Sequence, residues 1–263
     1  MRIIKNGLLG LSIIIATVSC TNGSTKSVEN NTPKIEKKEV EIAPTVNHAA
    51  FNQLLQKHVT ASGVVNYVSF NNDKAKLQDY IKSLTSVNTS SLSQNEQLSF
   101  WINAYNALTI DQILRNYPLK SIKSIAGGKV WDQNLPYKFG GKSVTLNIIE
   151  KKTLLGSNLF DARVHFAVNC AAVSCPTLIN KAYTADNVQG LLTQNTKAAL
   201  ANPAFNKITT AKASISSLFN WYKADFEKAE GSVVNFINKY STTKINSNTK
   251  IDYLDYNWNL NGK

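Results

Sequence analysis

Residues 93–118 carry the clearest structural signal in this sequence. Ser93 and Glu96 form the S-x-x-E pattern of a capping box, which marks the start of a helix. Apolar residues then recur at helical spacing over 98–113, and Tyr117-Pro118 marks the end. A helix of this length needs a core against which to bury its apolar face, so the sequence predicts a globular domain built on it.

The other segments predict more helices than strands. Helices are expected from Phe51, over 73–84, after a Thr145 cap, over 186–200 and within 219–240. Strands are expected in SGVVNYVSF (62–70) and RVHFAV (163–168), and a loop with a hairpin in 129–139. Strands and helices do not alternate regularly, which predicts an α+β class: a single globular domain with helices packed around a small sheet.

The N-terminus has the pattern of an export signal. Arg2 and Lys5 precede an apolar run, Gly7 to Val18, that is too short to span a bilayer comfortably and that ends at Cys20. This arrangement resembles a bacterial lipoprotein signal, with residues 1–19 as the signal peptide and Cys20 as the lipidated residue. The alternative is an ordinary signal peptide with a chance cysteine.

The next segment predicts a tether. Residues 20–45 are rich in Ser, Thr, Asn, Lys and Glu and have few large apolar side chains, so they cannot offset the chain entropy lost on folding. The α+β domain is therefore expected over residues 46–263. We expect the protein in the cell envelope, attached to a membrane through lipid on Cys20.

The charge distribution gives no support for nucleic-acid binding. The formal net charge is +12, but the lysines and arginines are scattered and form no basic tract interleaved with aromatic residues. A solvated basic surface is the simplest interpretation, and attraction to anionic envelope surfaces is a weaker implication.

The stretch VHFAVNCAAVSCPT, residues 164–177, carries the strongest chemical signal. It contains His165 together with Cys170 and Cys175. In the expected strand, His165 lies on one face with small neighbours, and the chain turns at the first cysteine. Pro176 is expected to begin a helix, which would place Cys175 at a helix N-terminus. A nearby imidazole and a helix N-terminus both favour thiolate, the form needed for nucleophilic catalysis.

Partners for the imidazole can be proposed by elimination. His48 and His58 are expected at ordinary surface positions, which leaves His165 as the candidate base. Two carboxylates could orient His165, those of Glu150 and Asp161. The side-chain amides of Asn103 and Asn106 on the long helix are further candidates.

Less reactive interpretations of the two cysteines remain open. They could form a short-loop disulfide in an oxidising compartment, or pack as small buried apolar residues. A metal site with His165 is possible but has no standard spacing, and thiol–disulfide exchange lacks the usual two-residue gap. We expect no metal and no cofactor.

Four blocks of the sequence resemble a known family. They are FWINAYNALTI (Phe100–Ile110), SVTLNIIE (Ser143–Glu150), DARVHFAVNCAAVSCPTL (Asp161–Leu178) and SSLFNWYKADF (Ser216–Phe226). In this order they resemble the domain of unknown function 547 family over roughly Phe51 to Tyr240. Many relatives are exported or lipid-anchored, but the resemblance implies no particular reaction.

The resemblance implies a site built from recurrent polar residues of these blocks. The matching residues are Asn103, Tyr105, Asn106, Glu150, Arg163, His165, Cys170, Ser174, Cys175, Pro176, Trp221, Tyr222 and Asp225. The sequence departs from the family pattern at Ala162, Ala171 and Ser217, where proline, glycine and lysine respectively are common. None of these departures removes a candidate catalytic group.

The leading hypothesis is a cysteine-dependent hydrolase or acyl transferase. Cys170 is the preferred nucleophile and Cys175 the second choice, with Glu150 orienting His165. The candidate binding residues are Asn103, Asn106, Arg163 and Ser174, and the two amides would donate to an oxyanion or position the carboxylate. The substrate would be an unknown peptide, acyl compound or glycan.

A second hypothesis is a non-catalytic envelope module. A structural Cys170–Cys175 disulfide would shape its binding surface, and four aromatic residues are possible contacts: Trp101, Trp131, Trp221 and Tyr222. For Trp101 and Trp221, packing in the core is the expected role.

Overall fold

The helix that begins after Ser93 is the centre of the fold. The computed structural model of the protein describes residues 46–263. In it, α4 spans Gln94–Asn116, and both hydrogen bonds of the predicted capping box between Ser93 and Glu96 are present. Every residue of α4 from Leu98 to Leu114 is buried, so the helix is covered on all sides rather than on one apolar face.

The described part of the chain contains seven further α-helices besides α4. Three come before it: α1 (Ala49–His58), α2 (Tyr67–Asn71) and α3 (Lys74–Thr85). Four come after it: α5 (Val188–Ala201), α6 (Leu218–Trp221), α7 (Lys223–Glu230) and α8 (Val233–Tyr240). Short 3₁₀ segments occupy Thr89–Ser91, Ile122–Gly128 and Ala162–Phe166.

The strands form two small sheets. β1 (Lys138–Phe139) and β2 (Lys142–Ser143) form a hairpin at the end of the region where one was expected, 129–139, and its turn residues, 140 and 141, are glycines with φ of 55° and 77°. The second sheet has the order β3-β4-β5, formed by Lys207–Ile208, Lys212–Ser216 and Lys250–Leu254. These strands were not predicted, but the α+β class of a single domain is confirmed.

Two hydrophobic cores hold the helices together. The larger core surrounds α4 and includes apolar side chains from α1, α3 and α5. The smaller one is dominated by four phenylalanines, Phe166, Phe219, Phe226 and Phe236, and all four are almost fully buried. Because Phe166 belongs to the 3₁₀ segment Ala162–Phe166, this second core fixes the chain next to His165.

Two expected strands are wrong. RVHFAV forms the 3₁₀ segment, which begins where the Asp161 carboxylate accepts a hydrogen bond from the backbone N–H of Arg163. SGVVNYVSF leads into α2, which begins where the side chain of Asn66 accepts from the backbone N–H of Ser69. In both cases a side-chain cap at the first turn favours helical geometry over an extended chain.

Of two further helices expected from the sequence, the one after Thr145 forms and the one at Pro176 does not. Thr145 accepts a hydrogen bond from the backbone N–H of Ile148, and a π-helix follows over Ile148–Leu154. By contrast, no helix begins at Pro176 among the described residues, and Cys175 therefore does not lie at a helix N-terminus.

The predicted surface positions of two histidines are also wrong. His58 is buried between Asp73 and Ser69, which bond its two ring nitrogens at 2.8 and 3.0 Å. His48 is buried against the hydroxyl of Tyr80, at 2.8 Å, and burial lowers the pKa of His48 to about 4. Both histidines attach α1 to the following helices by buried hydrogen bonds, which explains their presence without a catalytic role.

The expectations for the N-terminal part concern residues outside the described range. The signal peptide, Cys20 and the tether all lie within residues 1–45. Residues 46–263 belong to one compact unit. Within residues 46–263, we find no helix with the length and apolar character needed to cross a bilayer.

Candidate functional site

One pocket brings together the reactive side chains expected from the sequence. Its volume is about 260 Å³, and His165, Cys170, Cys175 and Glu150 all contribute to its wall. Aromatic residues form much of the remaining wall: Tyr105, Trp131, Trp221, Tyr222, Tyr256 and Trp258. A concave, largely aromatic pocket with a few polar groups is the usual form of a small-molecule site.

A network of amides shapes the turn that carries Cys170. The amide group of Asn106, buried in α4, donates to the carbonyl of Ala167 at 3.0 Å and accepts from the N–H of Asn169 at 2.8 Å. The Asn169 side chain then accepts from the N–H of Ala171 and donates to the carbonyl of Pro176, both at 2.8 Å. These bonds satisfy the polar groups of a buried turn and fix its shape.

Ala171 occupies a position that suits glycine. Its φ is 59°, in the left-handed region, where a Cβ atom is normally unfavourable. A glycine, which the resemblance noted in the sequence leads us to expect here, would adopt this conformation without steric cost. The surrounding amide bonds hold the alanine in this conformation, so the departure from the pattern leaves the turn in place.

The two cysteines are free thiols with different surroundings. Cys170 is partly exposed to the pocket, and its Sγ lies 3.2 Å from the hydroxyl of Tyr256. Cys175 is only 5% exposed, and its Sγ accepts a hydrogen bond from the backbone N–H of Cys170 at 2.9 Å. The structure therefore does not contain the disulfide considered in the second hypothesis.

These surroundings move the two thiol pKa values in opposite directions. A hydrogen bond from Cys175 and a weaker one from Tyr256 lower the pKa of Cys170, against the opposing effect of burial. Burial raises the pKa of Cys175 well above its ordinary value. Since the thiolate is the nucleophile, Cys170 is the better candidate for chemistry at neutral pH.

The sequence led us to expect that Glu150 orients His165, but Asp225 does so instead. Its Nε2 lies 2.9 Å from the Asp225 carboxylate, and its ring packs on Tyr222 with centroids 3.9 Å apart. Asp161, another candidate, pairs with Arg163 instead. No hydrogen bond joins the imidazole to either thiol in residues 46–263, although all three groups share the pocket wall.

Glu150 has a different set of partners. Its carboxylate accepts hydrogen bonds from the hydroxyls of Tyr105 at 2.9 Å and Tyr222 at 2.7 Å. The residue is 4% exposed and belongs to the π-helix Ile148–Leu154. Two tyrosines that donate to a buried carboxylate hold it rigidly against the pocket.

None of the four candidate binding residues belongs to the pocket wall; Asn106 shapes the turn, as described above, and the other three have the following contacts. Asn103 exchanges two hydrogen bonds with the backbone of residue 183, at 2.7 and 3.0 Å. Arg163 bonds Asp161 at 3.0 Å and lies in a separate groove. The hydroxyl of Ser174 accepts from the backbone N–H of Asn257 at 2.9 Å. In each case the observed contacts stabilise the fold around the site.

Tyr256 and Trp258 are site residues that sequence reasoning missed. They lie on residues 255–259, which run beside the turn through backbone bonds from Val173 to Asn259 and from Ser174 to Asn257. Tyr256 is 86 positions from Cys170 in sequence, and no periodic or motif signal links them. Only the observed fold brings them together.

The tryptophans divide between core and surface. Trp101 is buried, as expected, and packs on Phe139. The expectation that Trp221 packs in the core is wrong, because it is 48% exposed and stacks on Trp258 with centroids 5.9 Å apart. An exposed aromatic stack beside a pocket is available for ligand contact.

Metal binding finds no support in the side-chain arrangement of residues 46–263. No group of three or more His, Cys, Asp and Glu side chains is placed to hold an ion there. His165, Cys170 and Cys175 line one pocket, but each has its own hydrogen-bond partner, as described above.

Comparison with known proteins gives a match to a family model over part of the chain. No curated protein and no solved structure gives a significant match. One family model matches residues 89–199, which include Cys170, His165 and Glu150 but not Tyr256. That family is described as Protein of unknown function, DUF547, and the match supports the domain of unknown function 547 family that the four sequence blocks indicate.

Proposed function

We propose that this protein is a cysteine-dependent hydrolase or acyl transferase with Cys170 as its nucleophile. The observation that carries the proposal is a partly exposed thiol, hydrogen-bonded to Tyr256, in a pocket that also contains His165. The pKa of this thiol is lowered by hydrogen bonds, first from Cys175 and then from Tyr256. A thiol in such surroundings is typical of nucleophilic cysteines.

The reaction would proceed through an acyl-enzyme. The Cys170 thiolate attacks the carbonyl carbon of an ester, thioester or amide, and forms a C–S bond while the carbonyl electron pair moves to oxygen. When the carbonyl re-forms, the bond to the leaving group breaks, and the leaving group takes from His165 the proton that His165 received when the Cys170 thiol ionised. Water or an acceptor nucleophile then gives its proton to His165 and attacks the thioester, which releases Cys170.

Each polar partner has a role in this scheme. Asp225 holds His165 in one orientation, as the third member of a catalytic triad does. Tyr256 donates to the Cys170 thiolate and stabilises its charge in the free enzyme. Cys175 is a positioning residue, because its buried sulfur accepts from the backbone N–H of the nucleophile.

Activated acyl compounds provide a direct test. After incubation with a p-nitrophenyl acyl ester, we expect an acyl group on the peptide that contains Cys170, detected by mass spectrometry. The adduct should be absent in Cys170→Ser and should persist longer in His165→Ala, since His165 is needed for attack by water. Acylation that is spread evenly over surface lysines, and unchanged in Cys170→Ser, would contradict the proposal.

The cellular site is proposed from the N-terminal sequence. We place the protein in the bacterial envelope, held at a membrane by lipid on Cys20, because a short basic segment and an apolar run precede that cysteine. Metabolic labelling with a radioactive fatty acid checks this placement. Label should be incorporated in the full chain and lost in Cys20→Ala, and unlabelled wild-type protein would contradict it.

A binding module is the second candidate, and the exposed stack of Trp221 on Trp258 favours it. Such a protein would bind a ligand in the same pocket without catalysing its chemical conversion. The acyl-ester experiment separates the two candidates, because a binding module has no covalent adduct at Cys170.

A further inference from the structure

Glu150 is a buried carboxylate without a cationic partner. Both of its hydrogen bonds come from neutral tyrosine hydroxyls, and no Lys, Arg or His nitrogen among residues 46–263 lies within 4.0 Å of it. Buried carboxylates are normally paired with a cation, because removing the charge from water is costly. A carboxylate accepts about four hydrogen bonds, so about two of its acceptor positions are left unused.

The charged groups around the pocket do not compensate for this carboxylate. Lys151, the next residue in the chain, also lines the pocket, but it is exposed and forms no ion pair with a described residue. His165 is bonded to Asp225. Asp132, at the pocket wall, adds a further acidic group and is bonded by Asn147 at 2.6 Å. The pocket wall therefore carries two carboxylates, those of Glu150 and Asp132, against the one lysine, in a protein whose net charge is +12.

The aromatic walls suit the same kind of ligand. Tyr105, Tyr222 and Trp221 line the pocket around Glu150, and aromatic rings attract cations through their faces. Trp258, another ring of the pocket wall, already has such a contact, since Nζ of Lys123 lies 5.2 Å from its centroid. A buried carboxylate with aromatic neighbours is an arrangement suited to an organic ammonium group.

We propose that Glu150 binds the protonated amine of the substrate, and that the substrate class is an acyl compound that carries an ammonium group close to its scissile carbonyl. Amino-acyl esters, amino-acyl thioesters and peptides with a free amine belong to this class. The inference deepens the proposed function and rests on it, because only that function makes the bound amine part of a substrate.

Binding of the amine would also affect the nucleophile. Hydrogen bonds from Cys175 and Tyr256 lower the pKa of Cys170, and the charge of Glu150 acts in the opposite direction. An ammonium group beside Glu150 neutralises that opposing charge. Substrates with the amine therefore increase the thiolate fraction of Cys170, whereas substrates without it do not.

Thiol reagents that differ in charge alone test the inference. The probes are the 2-aminoethyl, 2-hydroxyethyl and 2-sulfonatoethyl methanethiosulfonates, which each form a mixed disulfide with Cys170 and release methanesulfinate. We expect the ammonium reagent to react about tenfold faster than the neutral one, although the net charge of the protein favours the anionic reagent. In Glu150→Gln the ratio should fall to about one.

Lys151→Gln is the matched control, because it removes a positive charge from the pocket lining next to Glu150 and should leave the ratio unchanged or raise it. A wild-type ratio of one or less, or a ratio that Glu150→Gln leaves unchanged, overturns the inference. The rate with the neutral reagent depends on the thiol itself, so a fast neutral reaction with no charge preference leaves the proposed function standing.

A second measurement is independent of thiol reactivity. In the Cys170→Ser protein, n-butylammonium and n-butanol are titrated while tryptophan fluorescence is recorded, since three tryptophans line the pocket. Tighter binding of the ammonium than of the alcohol, lost in Glu150→Gln, supports the inference. Equal binding of the two probes, or no binding of either, overturns it whatever the outcome for the nucleophile.

Discussion

Cys170 is expected to react with iodoacetamide at least about a hundred times faster than Cys175 at neutral pH. The thiolate is the reactive form, and hydrogen bonds from Cys175 and Tyr256 lower the pKa of Cys170, whereas burial raises the pKa of Cys175. Access of the reagent also favours reaction at Cys170, since Cys175 is only 5% exposed. Peptide mass spectrometry of the full chain, sampled over time and pH, measures both rates.

The rate of Cys170 alkylation should depend on pH in a definite direction. Because the pKa of Cys170 is lowered, its alkylation should reach half of its maximal rate below about pH 8.5, the value for an ordinary cysteine. Tyr256→Phe removes a donor to the thiol, so its midpoint should shift to higher pH. Tyr253→Phe is the control, because this exposed tyrosine lies on the same part of the chain and not in the pocket wall. Equal rates at both cysteines would contradict the assignment of the nucleophile.

Phe226→Ala should lower the free energy of unfolding by about 3–5 kcal/mol. The side chain has no solvent exposure, and its ring lies 4.7 Å from both Phe219 and Phe236. Truncation leaves a cavity in the smaller core that rings of fixed shape cannot fill. Urea denaturation followed by circular dichroism measures the change.

Trp221→Ala is the control for this loss of stability. Trp221 is also aromatic and also helical, but it is 48% exposed, so its truncation should cost less than about 1 kcal/mol. Equal destabilisation by the two substitutions would show that the smaller core is not packed as described. A second readout is the acyl-enzyme assay, because Phe226 also contacts the ring of His165, with centroids 5.4 Å apart.

Local signals made parts of this fold predictable. The capping box of α4 and the Thr145 cap depend on residues three positions apart, and both are present in the structure. The hairpin turn at 140–141 likewise depends on two adjacent glycines. Such features need no knowledge of distant contacts.

The 3₁₀ segment Ala162–Phe166 shows why other parts were not predictable. Val164 packs in the core around α4, whereas Ala162 and Phe166 pack in the phenylalanine core. Apolar residues that serve two cores alternate in a way that resembles a buried strand. The difference between the two conformations depends on the tertiary contacts, which the pattern does not contain.

The candidate site also has parts that the sequence predicted and parts that it did not. The sequence singled out Cys170, His165 and Glu150, and the structure places all three around one pocket. Their partners were assigned wrongly or missed, because Asp225 and Tyr256 lie 60 and 86 positions from the groups they bond. The catalytic roles remain predictions until an acyl-enzyme or its absence is observed.

The attachment of residues 255–259 makes one wall of the pocket exchangeable. Backbone atoms hold this segment beside the turn, at Val173 and Ser174, and backbone bonds do not depend on which side chains the segment carries. The side chains at Tyr256 and Trp258 can therefore be varied while the amide network under Cys170 stays intact. For protein engineering, position 258 is therefore a natural site for a small substitution library that changes ligand preference, whereas Tyr256 is kept because it bonds the nucleophile.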